Sequence, residues 1–302
     1  MWFWFSLIAL ICWSGSDLFS KIGCQDADDK YSHLKMVMAV GLVMGLHAAY
    51  EIFINGTEIN SSIILTYLPV SLLYISSMTI GYIGLRYIEL SISSPICNSS
   101  GALVAVLALA TGGLGELVPA QLAATALVCV GVIGLGIVEA REDDDLRAAR
   151  QQASNHRYAK SALALVLPVI YCLLDALGTF ADSRVLETLN EDSANCAYEL
   201  TFLLAGIVCF VYVVLIKKSR LVPKREGPKY VGAVCETAGQ FAYIYALADT
   251  EHVALAAPII SAYCVASVLW SRIFLKEKLS WKHYAMIALV VAGIVILGVY
   301  DA

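Results

Sequence analysis

Five ionisable side chains stand where an apolar stretch should exclude them: Asp17, His47, Asp175, Glu199 and Glu236. Each interrupts a run of roughly 20 mostly apolar residues, the length that crosses about 30 Å of hydrocarbon. An ionisable group in hydrocarbon costs several kcal/mol unless it is paired or wet, so its default reading is functional. The chemistry open to such acids is the binding of a cation or the carrying of a proton. At 1.5 Å of rise per residue, Glu236 and Asn98 lie about 10 Å from one end of their stretches. Trp13, Tyr74, Tyr171, Gln240 and Tyr263 fall near mid-depth, and His47 slightly to the other side. Asp17 and Asp175 lie toward opposite ends of their helices, and Asp175 is close in depth to Glu199. That is the placement expected of gates above and below one cavity.

Each residue also has a structural reading. Asp17 precedes Lys21 by four residues, a spacing that makes a neutralising helix pair. His47 and Glu51 share a face in the same way, and a simple hydrogen-bonded pair accounts for them. Asp175 has only Thr179 at that spacing, and Glu199 is near enough to one end to reach the interface. Glu236 is too deep to do so and has no obvious basic partner on its own helix, which makes it the strongest candidate for binding a substrate or a proton. Five aromatic and amide side chains at one depth read as the wall of a pocket. Trp2, Trp4, Trp270 and Trp281 read as interface anchors.

The elements that position these groups follow from hydropathy. Apolar residues make up 59% of the 302, above the 45–50% of soluble domains. Ten spans are predicted near 2–22, 34–54, 62–85, 91–111, 119–138, 160–180, 194–216, 229–248, 253–273 and 281–300. The chain reads as all-α membrane: ten transmembrane helices in two inverted five-helix repeats around a central cavity. The halves are 1–138 and 160–302, joined by a charged linker, 139–159. Its mixed charges suit a solvated tether or a short surface helix. Trp13-Ser-Gly-Ser-Asp17 aligns with Tyr171-Cys-Leu-Leu-Asp175, and Ser93-Ser-Pro95 with Ala256-Ala-Pro258. Gly115-Glu116-Leu117 aligns with Lys276-Glu277-Lys278. These pairs lie 158 to 163 residues apart. Because five is odd, the second copy must enter from the opposite side, the arrangement that builds a midplane site with alternating access.

Of 20 Lys and Arg residues, all but Arg184 fall at odd-numbered loops. The positive-inside rule puts those loops in the cytoplasm and both termini outside. A bacterial inner membrane is the expected location. The first span lacks the basic start and small-residue cleavage site of a signal peptide. The nine cysteines form no CxxC pair and no His-Cys spacing for zinc, so no metal or other cofactor is expected. Asn55-Gly-Thr57 matches a glycosylation acceptor, which matters only in a eukaryotic secretory setting. No nucleic-acid partner is expected. Glycines 131, 134 and 136 allow close helix packing within the fold or in a homodimer.

Span one, Cys12-Trp-Ser-Gly-Ser-Asp-Leu-Phe-Ser-Lys21, resembles the opening signature of EamA-type members of the drug/metabolite transporter superfamily. Pro258-Ile-Ile-Ser, Ser271-Arg-Ile-Phe-Leu-Lys-Glu-Lys-Leu-Ser-Trp281 and Gly293-Ile-Val-Ile-Leu-Gly298 resemble its span nine to ten signature. The resemblance covers both copies. It implies a cavity formed by spans one to four and six to nine, with spans five and ten peripheral. In the nucleotide-sugar branch the termini are placed in the cytosol, opposite to what these loop charges indicate.

No HExxH, GxSG or GxGD motif is present, so an intramembrane protease is not expected, nor any other enzyme. A carrier of phosphate esters would want deep bases, whereas the deep charges here are acidic. The expected function is a secondary transporter of a small cationic or amine-bearing metabolite, with protons as a candidate coupling ion. The alternative is an exporter of neutral amino acids or other neutral metabolites, whose acids serve protons or structure.

Overall fold

The computed structural model describes residues 1–25, 29–87, 90–111, 118–140, 162–276 and 279–301. Most of the linker, together with Gly115-Glu116-Leu117, Glu277 and Lys278, lies outside the described residues. The elements in order are α1 (Trp2–Cys24), α2 (Ser32–Tyr50), α3 (Ser61–Tyr87), α4 (Leu90–Cys97), α5 (Ser100–Ala110) and α6 (Pro119–Ala140). They are followed by α7 (Ala162–Val185), α8 (Glu191–Phe210), α9 (Pro223–Leu247), α10 (Val253–Ser261), α11 (Tyr263–Phe274) and α12 (Trp281–Asp301). Among the described residues the regular structure is helical throughout.

Among the described residues, eight helical stretches are long and apolar enough to cross a membrane. Helices α9 and α12 occupy the two other positions the sequence predicted. Helix α9 falls short because it gathers Glu226, Lys229, Glu236, Thr237 and Gln240 on buried positions. In α12 only Trp281–Leu297 reads as an apolar stretch.

Local signals set the helix ends. Asn190 caps α8 by accepting from the Asp192 and Ser193 amides, which satisfies donors that the first turn would otherwise leave open. Pro223 starts α9, where a missing N–H costs nothing. Helix α2 runs into a wider turn over Glu51–Asn55 and stops at Gly56 with φ 75°, a left-handed conformation that favours glycine.

Two predicted spans are broken. The stretch 91–111 divides at Asn98–Ser99, and 253–273 divides at Ala262. Pro95 and Pro258 lie four residues before Ser99 and Ala262, and each removes one backbone donor from its helix. At the first break Asn98 Nδ2 donates to Ser94 O (2.8 Å), drawing a helical carbonyl to a side chain. The broken helices cross beside their breaks: a Cβ on Gly101 would lie 2.3 Å from Ser261 Oγ and 2.7 Å from Ala257 O.

Elsewhere α1 packs on α9, α3 on α7, α2 on α8 and α6 on α12. At one end of the bundle buried ion pairs tie α2 to α9. Lys35 Nζ is 2.7 Å from Asp29 and 3.5 Å from Glu226, and Lys229 Nζ is 3.0 Å from Glu226. The tryptophans divide. Trp4 and Trp281 are exposed, whereas Trp2 is buried and stacked on His252 at 5.2 Å. Trp270 Nε1 donates to Ser14 Oγ. The anchor reading is therefore corrected for Trp2, whose ring stacks inside the bundle, and Trp270 turns its N–H inward to α1.

Candidate functional site

Helical spacing brings the polar residues of four long helices to one cavity. On α1, Trp13, Ser16, Asp17 and Ser20 follow the i, i+3, i+4, i+7 rule for one face. Helix α9 contributes Glu236, Gln240 and Tyr243, α7 contributes Tyr171, Asp175 and Thr179, and α3 contributes Tyr74 and Tyr82. The broken helices add Ser94 and Asn98 from one and Tyr263 from the other. The cavity has a volume of about 70 Å³.

The three carboxyls at the cavity are held by hydroxyl donors. Ser94 and Ser267 donate to Asp17 Oδ2 at 2.5 and 2.8 Å. Ser100 donates to Asp175 Oδ2 at 2.7 Å. Ser16 donates to Glu236 Oε2 at 2.7 Å. Among the described residues, no Lys, Arg or His lines the cavity. Hydroxyl donors hold a carboxylate in place without neutralising it, so the surplus negative charge is left for whatever enters.

Two glycines let the aromatic wall approach. A Cβ on Gly239 would meet Trp13 Cδ1 at 2.4 Å, and one on Gly81 would meet Tyr171 Cδ2 at 2.9 Å. Trp13 then packs against Tyr243 (4.9 Å between centroids) and Tyr263 (5.8 Å). These electron-rich faces add cation–π attraction for an ammonium group.

Of the eleven candidate residues, nine line this cavity: Trp13, Asp17, Tyr74, Asn98, Tyr171, Asp175, Glu236, Gln240 and Tyr263. His47 and Glu199 do not. His47 Nδ1 lies 2.9 Å from both Glu199 oxygens, Asn195 Nδ2 donates to the same carboxylate, and Glu51 lies 3.7 Å from the other ring nitrogen. The two residues satisfy each other across the α2–α8 contact, which corrects their assignment to the cavity.

Asp182 is the residue the sequence reading missed. It is fully buried, and Tyr67 and Tyr74 donate to its two oxygens at 2.7 and 3.3 Å. Tyr74 is also hydrogen-bonded to Tyr243, so the chain of hydroxyls runs from Asp182 to the cavity wall. The signal was available. Asp175, Thr179 and Asp182 share one face of α7, but the predicted span ended at residue 180. Removing one donor from a buried carboxyl leaves it under-satisfied, at about 1–3 kcal/mol. Tyr67→Phe is expected to lower the melting temperature, and Tyr67→Phe combined with Asp182→Asn to recover part of the loss. An unaltered melting temperature in the single variant would show that Asp182 does not depend on this donor.

A family model described as the EamA-like transporter family matches residues 162–299. No curated protein matches the chain in sequence. One protein known from its crystal structure shares the fold over 98% of this chain and 96% of its own, with a TM-score of 0.64 at 13% identity. At that identity the likeness carries the fold alone.

Proposed function

We propose that this chain, whose residues 162–299 match the EamA-like transporter family, moves a small amine-bearing or cationic metabolite across a membrane by alternating access. That match supports an integral membrane transporter of small molecules; the substrate class and mechanism are our reading. The observation that carries the reading is the set of three carboxyls, Asp17, Asp175 and Glu236, facing one cavity that no base lines among the described residues. Such a site lowers the energy of a cation and raises that of an anion. Protons are the coupling ion that these acids are suited to carry. The transporter works as a monomer or homodimer in a bacterial inner membrane.

The inverted-repeat organisation, with halves 1–138 and 160–302 joined by 139–159, draws support from paired geometry. Gly81 against Tyr171 and Gly239 against Trp13 are equivalent contacts, with partners 158 residues apart. The helix breaks at Ser99 and Ala262 are 163 apart, the same offset as Pro95 and Pro258. Counting each broken pair as one span gives ten. Broken helices crossing at mid-depth are a recurrent way of building a transport site.

A thermal-shift screen of the purified protein against amines, amino acids and nucleosides tests the reading, because a ligand that binds the folded state stabilises it by mass action. Stabilisation by amines is expected; stabilisation by phosphate esters or dicarboxylates alone would overturn the reading. Orientation is tested separately. In a Cys-free background, single cysteines at Lys218 and Asn190 are expected to label from opposite sides, with position 218 cytoplasmic. Labelling of position 218 from outside intact cells would reverse the topology.

A further inference from the structure

We propose that Asp182 is a proton-binding site separate from the three cavity carboxyls, and that it exchanges its proton with the cavity through the hydroxyls of Tyr74 and Tyr243. As a proton site it stands on its own geometry; its use, to carry the coupling proton, rests on the transporter reading above. Asp182 lies two turns from Asp175 on the same face of α7, about 10 Å along the axis. It is fully buried and does not line the cavity. Among the described residues its partners are hydroxyls, from Tyr67, Tyr74 and Tyr243, with no base beside it. A buried carboxyl without a cation is costly to keep ionised, which favours a group that takes and releases a proton.

The surrounding helices leave its charge unopposed. Helix α3 presents Tyr67 and Tyr74, and α9 presents Tyr243. The Tyr198 ring of α8 packs on both α3 tyrosines, at 6.5 and 5.8 Å between centroids, and its hydroxyl is turned to Met78. From α4 and α5, Cys97 faces the cavity and Ser100 bonds Asp175. On α7 itself, Thr179 is one turn away, and Arg184 is engaged at the surface with Glu187 (2.8 Å) and Thr111 (2.7 Å).

The hydroxyls serve both protonation states without moving a heavy atom. Ionised, the carboxylate accepts from Tyr67 at 2.7 Å and from Tyr74 at 3.3 Å. Tyr74 Oη also lies 3.2 Å from Thr179 Oγ1 and is hydrogen-bonded to Tyr243. When Asp182 takes a proton on Oδ2, the Tyr74 O–H can turn to Thr179 or Tyr243 while its oxygen accepts from the carboxyl. A carboxylate held only for structure needs donors alone; this one has beside it a hydroxyl with two other acceptors. The same groups make the route. Tyr74, Thr179 and Tyr243 line the cavity, whereas Asp182 and Tyr67 do not. As a proton leaves Asp182 Oδ2 for Tyr74 Oη, the Tyr74 proton passes to Tyr243 Oη, and the Tyr243 proton passes to a water or carboxylate in the cavity. Each tyrosine ends neutral, and one proton has moved.

Infrared difference spectroscopy of the full-length protein in detergent, stepped from alkaline to acid pH, uses the proton itself as probe, because a neutral carboxyl has a carbonyl stretch that a carboxylate lacks. On acidification the natural protein is expected to gain a component that Asp182→Asn loses. Tyr67→Phe should shift the frequency of that component, since it removes one donor to the same carboxyl; this variant identifies the component even if Asp182→Asn does not fold. Replacing Tyr74 and Tyr243 together by Phe is expected to keep the component but slow its shift in heavy water by at least about tenfold, because exchange must then wait for local opening of the helices. Spectra in which neither Asp182→Asn nor Tyr67→Phe alters any component that changes with pH would overturn the proton site. A component that Asp182→Asn removes equally at every pH would do the same, since that proton never leaves. Unslowed exchange in a folded double variant would overturn the route to the cavity. No amine is added, so failure here leaves the amine reading standing, and failure of the amine screen leaves this result standing.

Discussion

Glu236→Gln is expected to leave a folded protein that no longer gains stability from organic amines. The side chain is 8% exposed, and its carboxylate accepts hydrogen bonds from Ser16 and from Trp13. A glutamine in the same rotamer presents Oε1 to that hydroxyl, so packing and the bond to Ser16 persist. What disappears is the charge. A hydrogen bond to a charged group contributes about 1.5–3 kcal/mol, so amine affinity should fall by roughly ten- to a hundredfold. The unliganded melting temperature should hold or rise, because a buried charge is costly to keep out of water. Asp17→Asn and Asp175→Asn test whether the other two acids share the load. In the natural protein amine binding should weaken as pH is lowered, since a protonated carboxyl stops attracting the cation. The Gln variant should respond less to pH. A folded Gln variant with undiminished amine binding would show that Glu236 belongs to packing and not to the site.

How far the sequence could be read depended on whether a property is local. Depth along a helix is local, because rise per residue is fixed. Thus Trp13, Tyr74, Tyr171, Gln240 and Tyr263 could be set at one level, and they do line one cavity. Which way a helix is turned is not local, because a chain that is apolar all round gives no face to read. His47 and Glu199 stand at plausible depths yet face each other across α2 and α8, 152 residues apart in sequence. Asp182 escaped for a related reason. A span drawn by hydropathy stops at the first polar residues, whereas α7 continues to Val185 because Tyr67 and Tyr74 supply the carboxyl with donors. The prolines of the broken helices were visible as a matched pair, but the breaks fall four residues later. Their positions depend on the Asn98–Ser94 bond and on the contact of Gly101 with Ser261.

Gly101→Ala is expected to be among the most damaging small substitutions in the chain. Its Cβ would enter at 2.3 Å from Ser261 Oγ and 2.7 Å from Ala257 O. The serine hydroxyl can rotate aside, but the carbonyl belongs to a buried helix and moves only if α5 and α10 separate. Gly41 is held in a similar way on the other helix crossing, where a Cβ would lie 2.7 Å from Phe202 O and 3.0 Å from Gly206 Cα. Overpacking of this kind costs about 1–3 kcal/mol and more where backbone must move. Both variants should melt lower, and Gly101→Ala should also lose amine binding, because the crossing it forces apart carries Asn98 on one side and Tyr263 on the other. Gly227→Ala is the control. A Cβ there meets nothing beyond its chain neighbours within 4 Å, and because Pro228 follows, which offsets the helix preference of alanine over glycine, the melting temperature should change little. If Gly101→Ala melts with the natural protein while Gly227→Ala behaves as expected, the two broken helices are not clamped at this point. The cavity walls would then need another source of rigidity.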